Sequence, residues 1–119
     1  MNDKIRIYHN PRCSKSRQTL EIIESSGVKP DIILYLEQPP SAAEFKRILK
    51  KLDRSPRDLL RKNEEAYKEL QLANDQLSDT QIINAMLANP KLIERPIVTK
   101  GDRAVLGRPP ENVKALLKK

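Results

Sequence analysis

The sequence contains one cysteine, Cys13, and its neighbours are polar or basic: residues 10–17 read Asn-Pro-Arg-Cys-Ser-Lys-Ser-Arg. A lone cysteine is most often a small buried hydrophobic residue. These neighbours are not typical of a core, however, and Arg12, Lys15 and Arg17 place positive charge close to Cys13 in sequence. We therefore interpret Cys13 as a reactive thiolate.

The ionised form of such a thiol needs specific support. A thiol with a pKa of about 8.5 is only a few per cent thiolate at neutral pH. Lowering that pKa by two units takes about 2.7 kcal/mol, whereas a helix N-terminus supplies about 0.3–1 kcal/mol. Nearby cations or hydrogen bonds must supply the rest, and the same cations could hold an oxyanion for attack.

His9 and Ser16 are the further candidates in this loop. His9 either orients or activates Cys13, or it only satisfies a loop carbonyl. Ser16 stands where a C-x-x-C redox pattern has its second cysteine. Its hydroxyl either bonds the thiolate or simply lies in the first helical turn. With one cysteine and one histidine, an intramolecular disulfide and a two-histidine metal site are excluded, so we expect no bound metal. Redox chemistry would need an external sulfur.

Two of the ten arginines, Arg95 and Arg108, stand in distinctive contexts. Arg95 precedes Pro96 in a bond that could be cis, Arg108 precedes a Pro-Pro pair, and Arg61 could be a helix-end cation; spacing alone leaves open whether they are surface charges. A cysteine phosphatase needs a C-x5-R loop. The nearest downstream arginine, Arg17, follows at C-x3-R with no glycine between, which argues against that class.

Hydrophobic periodicity predicts an α/β fold. Residues 4–36 read as a β-α-β unit, with a helix from about Ser14 to Ser26 and a buried strand over Asp31–Leu36. Helix starts at Ser41, Ser55 and Ser78 predict a helical insertion over about 41–89. Two short apolar runs around Lys100-Gly101-Asp102-Arg103 then predict a hairpin, and a closing helix follows. The order favours a four-stranded mixed sheet within a single domain, 1–119.

Composition restricts the partners. A net charge of +7 favours an anionic partner, while 3% aromatic residues argue against a base-stacking surface for nucleic acid. The sequence has no apolar run of the ~20 residues that a membrane span requires and no apparent signal peptide. We therefore expect a cytoplasmic protein that does not bind membranes.

Five ordered stretches carry a family resemblance: 7–17 (Ile-Tyr-His-Asn-Pro-Arg-Cys-Ser-Lys-Ser-Arg), 34–37 (Leu-Tyr-Leu-Glu), 59–63 (Leu-Leu-Arg-Lys-Asn), 94–98 (Glu-Arg-Pro-Ile-Val) and 107–109 (Gly-Arg-Pro). Through them the chain resembles the glutaredoxin-coupled arsenate reductases over nearly its whole length. The resemblance implies a thioredoxin-like fold with a helical insertion.

The resemblance also implies roles for individual residues. Cys13 would attack arsenate, His9 would aid thiolate formation, and Arg61, Arg95 and Arg108 would hold the oxyanion and its thiol adduct. The proline after Arg95 would be cis. Glutathione, an external reductant rather than a bound cofactor, would attack the arsenic adduct, and glutaredoxin would take the glutathionyl group as arsenite leaves.

Two alternatives remain open at this point. One is a thiol oxidoreductase of the same fold that acts on another anion or on a glutathionylated protein. The other is a regulator of the Spx type, which binds RNA polymerase and reduces no oxyanion. Such regulators commonly carry a second cysteine where this chain has Ser16, and they lack the arginine that is present here as Arg108, so both differences favour the enzyme.

Overall fold

The computed structural model describes residues 4–117. The chain forms two compact units, one built from Met1–Gln38 with Arg95–Lys119 and the other from Pro39–Glu94. The predicted insertion, 41–89, falls inside the second unit. That the two units form one domain remains a prediction.

The first unit is built on the predicted mixed sheet. Its strands are β1 (Ile5–Tyr8), β2 (Asp31–Ile33), β3 (Ile97–Lys100) and β4 (Arg103–Leu106), in the order β2-β1-β3-β4. β1 is parallel to β2 and antiparallel to β3, and β3 is antiparallel to β4. The predicted hairpin between β3 and β4 is confirmed, and Gly101 supplies the positive φ (+60°) of its turn.

The second strand is shorter and less buried than the sequence suggested. The prediction of a buried strand over Asp31–Leu36 is wrong at both points, because pairing stops at Ile33 and Ile32 is 46% exposed. The strand lies at the edge of the sheet, so it pairs on one side only. Beyond it the chain turns, with the Glu37 N–H donating to the Leu34 carbonyl at 2.9 Å. An unbroken apolar run does not distinguish an edge strand followed by a turn from a central strand.

Helices cover the sheet of the first unit. Helix α1 (Ser14–Ser25) ends before Gly27, whose φ of +87° fits the predicted stop. After β4, a 3₁₀ turn (Pro110–Val113) leads into the closing helix, α5 (Lys114–Leu117), which is the last helix in the described part of the chain. The core between sheet and helices consists of Ile5, Ile7, Ile23, Val98, Val113 and Leu116.

The second unit is helical, as predicted. It contains α2 (Ala42–Leu52), α3 (Glu65–Glu69) and α4 (Asp79–Ala88), with 3₁₀ turns at Pro56–Leu59 and Pro90–Leu92. The side chains of Ser41 and Ser78 accept hydrogen bonds from Glu44 N–H and Gln81 N–H, which confirms both predicted caps. Its buried side chains include Phe45, Ile48, Leu59, Ile82, Met86 and Leu92.

Gly107 lies where β4 meets helix α1 and leaves no room for a side chain. Its N–H donates to the Pro96 carbonyl at 2.9 Å. A Cβ at this position would come within 2.6 Å of Thr19 Oγ1 and 2.8 Å of Pro96 Cγ, distances at which a neighbour must shift. Thr19 is fully buried, so it has little freedom to move. The close approach of helix to loop therefore requires glycine here.

We predict that Gly107→Ala lowers the free energy of unfolding by about 1–3 kcal/mol, the usual cost of overpacking, as measured by urea denaturation. Thr19→Ala removes the hydroxyl atom that the new Cβ would contact. The double variant should therefore lose less stability than the sum of the two single losses. Additive losses would show that this contact is not the source of the strain.

Candidate active site

Cys13 stands between the end of a strand and the start of a helix. β1 ends at Tyr8, and the Cys13 N–H then donates to the Asn10 carbonyl at 3.0 Å, closing the turn that leads into α1. Cys13 is the N-cap residue of α1 and is 9% exposed. Because the first N–H groups of a helix have no partner within the helix, the sulfur lies where backbone donors are available.

The surroundings of Cys13 favour its thiolate. Burial of the sulfur raises the pKa of the Cys13 thiol, but several interactions outweigh that effect and bring the pKa below its ordinary value. Hydrogen bonds from the backbone N–H groups of Ser16 and Lys15 act in this direction, as do a hydrogen bond and positive charge from the Arg95 guanidinium. These are the backbone donors and the close cation that the energetic argument from sequence required.

The side chain of His9 forms a hydrogen bond with Ser16, and its imidazole does not act as a cation. His9 is 6% exposed, and its Nδ1 lies 2.6 Å from Ser16 Oγ. The Asn10 N–H also donates to this oxygen at 3.0 Å, so the hydroxyl proton can point to Nδ1 of a neutral imidazole. Burial, followed by the positive charge of Arg17, lowers the pKa of His9. The hydroxyl of Ser16 thus bonds His9, and its backbone N–H bonds Cys13.

The side chain of Arg108 contacts the backbone of Arg95. Arg95 precedes a cis proline, Pro96, as expected, and Arg108 precedes a second cis proline that the sequence analysis did not anticipate. Arg108 Nη1 donates to the Arg95 carbonyl at 3.3 Å. Within the first unit, the Arg95 guanidinium therefore acts on Cys13, and the Arg108 side chain contacts the backbone of Arg95.

Arg61 belongs to the second unit. It follows Leu60, which forms an isolated β-bridge with Ile93, and its N–H donates to the Leu92 carbonyl at 2.8 Å. Its guanidinium contacts two carboxylates, Nε lying 3.6 Å from Glu64 and Nη1 lying 3.5 Å from Glu94. Arg61 is thus fixed by the backbone on one side and by acidic groups on the other.

The basic residues next to Cys13 in sequence contribute differently from what was expected. Arg12 and Lys15 have exposed side chains, and Arg17 Nη1 donates to the Pro11 carbonyl at 2.8 Å. The cation that acts on the sulfur is Arg95, which is distant in sequence. Sequence spacing carried no signal for this, because the contact depends on how β3 pairs with β1.

A metal cluster and a membrane-spanning helix are both absent from the described residues. Between residues 4 and 117, no three His, Cys, Asp or Glu side chains gather as a metal site would require. None of the helices in this same range has the length and hydropathy needed to cross a membrane.

The environment of His9 predicts a pH dependence of stability. Since the folded-state pKa of His9 lies below its ordinary value of 6.5, the unfolded chain binds more protons in mild acid. The contribution to stability is complete above about pH 6.5 and is lost as pH falls through the folded-state pKa. In urea denaturation, the free energy of unfolding of wild type should therefore fall more steeply with acidification than that of His9→Asn. Parallel pH curves would contradict this.

The contact between Arg95 and the sulfur predicts the effect of removing its charge. Arg95→Gln should raise the pKa of Cys13, seen as a shift to higher pH in the rate of alkylation by iodoacetamide. Arg12→Gln, which removes an exposed charge adjacent in sequence, is the matched control and should leave the profile in place. An equal shift in both variants would mean that overall charge, not the Arg95 contact, supports the thiolate.

Comparison with known proteins places this site in a family. The model of the ArsC family matches residues 8–116. The chain is 50% identical over 113 residues to an arsenate reductase of Escherichia coli, covering 95% of this chain and 80% of that protein. It is also 52% identical over 114 residues to the uncharacterized protein YfgD of Escherichia coli K12, covering 95% of this chain and 96% of that one.

A solved structure agrees with the sequence relatives. An arsenate reductase from Vibrio cholerae superposes with a TM-score of 0.92 at 48% identity, covering 98% of this chain and 99% of that one. This match and the order of the sheet confirm the thioredoxin-like α/β fold that the resemblance implied. With the family model spanning almost all the described residues, Cys13 and its arginines included, the chain belongs to the ArsC family.

Proposed function

We propose that this protein is an arsenate reductase in which the Cys13 thiolate attacks arsenate. The observation that carries the proposal is the Cys13 sulfur at the start of α1, with backbone N–H groups and the Arg95 guanidinium directed at it. Membership of the ArsC family supports it independently. Such a group of donors favours a thiolate nucleophile and attracts an anionic substrate to the same place.

The arginines are proposed to hold the oxyanion. Arg95 bonds the sulfur, and Arg108 bonds the backbone of Arg95, which supports assigning both to an anion attached to Cys13. Arg61 is assigned to the same role from the family resemblance. Arginine suits this task because its planar fork of N–H donors matches oxyanion geometry.

His9 and Ser16 are proposed to act by positioning. A neutral His9 adds no positive charge beside the thiolate. It does bond the Ser16 hydroxyl at 2.6 Å, and Ser16 supplies an N–H to the sulfur. His9 would therefore aid thiolate formation by fixing the first turn of α1, and Ser16 would contact the bound substrate or its adduct through that turn.

The chemical balance requires two external thiols. Attack by the Cys13 thiolate forms an S–As bond, and one oxygen of arsenate leaves as water after taking up protons. The thiol of glutathione then bonds to arsenic, and a second oxygen leaves as water. The glutaredoxin thiolate attacks the glutathione sulfur, and the electron pair of the broken As–S bond passes to arsenic, reducing As(V) to As(III). Hydrolysis of the remaining S–As bond releases arsenite and restores Cys13.

The chain itself cannot supply those thiols. It has one cysteine, so the disulfide that balances the reduction must form between glutathione and glutaredoxin. We propose both as partners and no bound cofactor. A cysteine that must stay reduced between turnovers fits the cytoplasm, where we place the protein.

We predict that Cys13→Ser abolishes arsenite release in an assay with arsenate, glutathione and glutaredoxin. Arg61→Ala, Arg95→Ala and Arg108→Ala should each lower kcat/KM for arsenate by about ten- to a hundredfold, since a hydrogen bond to a charged group contributes about 1.5–3 kcal/mol. Arg47→Ala, which removes an exposed arginine of α2, is the matched control and should have no effect.

The same variants distinguish an arsenate reductase from a thiol oxidoreductase that acts on another substrate. If Cys13→Ser releases arsenite as fast as wild type, the proposal is wrong. Turnover of a glutathionylated peptide without arsenate turnover would instead select a thiol oxidoreductase of the same fold. If arsenate is reduced but the arginine variants all match wild type, the assignment of the oxyanion site fails while the reaction stands.

A further inference from the structure

Thr19 lies one turn beyond the reactive loop, on the face of α1 that contacts Gly107. It is fully buried although it is polar. Its hydroxyl donates to the Lys15 carbonyl at 2.8 Å and lies 3.4 Å from the Gly107 carbonyl. A hydroxyl has one proton, so the shorter contact is the principal bond and the longer one adds a weak second acceptor.

The Lys15 carbonyl belongs to the peptide group that also contains the Ser16 N–H. This N–H is among the donors that stabilise the Cys13 thiolate. A hydrogen bond accepted by the oxygen of a peptide group polarises that group and makes its N–H a stronger donor. The Thr19 hydroxyl and the Cys13 sulfur therefore act on opposite ends of a single peptide group.

We propose that Thr19 is a positioning residue that tunes Cys13 through the Lys15–Ser16 peptide. Its hydroxyl orients and polarises this peptide, and its contact with Gly107 fixes the start of α1 against the loop that continues into Arg108. The inference rests on the proposed function in taking Cys13 as the nucleophile. Its effect on the thiolate can be measured without arsenate.

The test compares variants that keep or remove the hydroxyl. Thr19→Val keeps the shape and loses the hydroxyl, Thr19→Ala loses it without adding volume, and Thr19→Ser keeps it. Thr99→Val, at a buried threonine of β3 that is 7% exposed, is the matched control. For each variant, the rate of Cys13 alkylation by iodoacetamide is measured against pH, and the free energy of unfolding is measured by urea denaturation.

The expected result is a shift of the alkylation profile to higher pH in Thr19→Val and Thr19→Ala. On the rising part of the wild-type profile, below the pKa of Cys13, the rate should fall about two- to fivefold, as expected when one donor to a thiolate is weakened. Thr19→Ser and Thr99→Val should keep the wild-type profile. If Thr19→Val does not fold, Thr19→Ala gives the same measurement.

Other results would overturn the proposal. A folded Thr19→Val or Thr19→Ala with the wild-type profile would show that the hydroxyl does not act on Cys13. A Thr19→Ser profile shifted as far as that of Thr19→Val would exclude the hydroxyl as the cause. Loss of folding in both hydroxyl-free variants, with a normal Thr19→Ser, would assign Thr19 a structural role only. If the protein reduces no arsenate but the profiles shift as expected, the proposed function fails and this inference stands.

Discussion

A negative charge on a largely buried sulfur is the condition on which the rest of this site depends. Cys13 is only 9% exposed, and burial alone would keep its thiol protonated. Backbone N–H groups at the start of α1 and one guanidinium reverse that preference. A helix terminus favours the thiolate, but it contributes only about 0.3–1 kcal/mol. This is less than the about 2.7 kcal/mol needed to lower the pKa of the thiol by two units. The contact with Arg95 adds to what the helix start supplies.

The architecture of the first unit provides that contact. Antiparallel pairing of β1 with β3 places the chain before β3, where Arg95 stands, next to the loop that follows β1. Gly107 links the segment before β3 to helix α1, since its N–H bonds the Pro96 carbonyl and its missing side chain lets Thr19 approach. The core thus fixes the sheet of the first unit. A few close contacts around Gly107 determine the position of α1 relative to the segments that carry Arg95 and Arg108.

Local sequence patterns anticipated much of this fold. The caps at Ser41 and Ser78 and the hairpin around Gly101 follow from short-range signals, and the mixed sheet follows from the order of strands and helices. The prediction of a buried strand fails at Ile32, because burial there depends on which strands pair and not on the apolar run itself.

The contacts of the site were less accessible to sequence reasoning. The position of Cys13 at a helix start is a local property and could be predicted. Its pairing with Arg95 spans most of the chain and depends on strand pairing. The bond between His9 and Ser16, and the approach of Thr19 to Gly107, depend on side-chain packing, for which residue type and spacing carry no signal. The family resemblance supplied the arginines that spacing alone could not select.

The most direct test is the pKa of Cys13 itself, compared between the folded and unfolded states of the same chain. Thiolate absorbance in the ultraviolet can be followed against pH for the native protein and for the protein unfolded in urea, with Cys13→Ser as the blank. If backbone donors and Arg95 stabilise the thiolate, the native protein ionises at lower pH than the unfolded chain. A native pKa equal to or above the unfolded value would contradict an ionised Cys13 as the basis of this site.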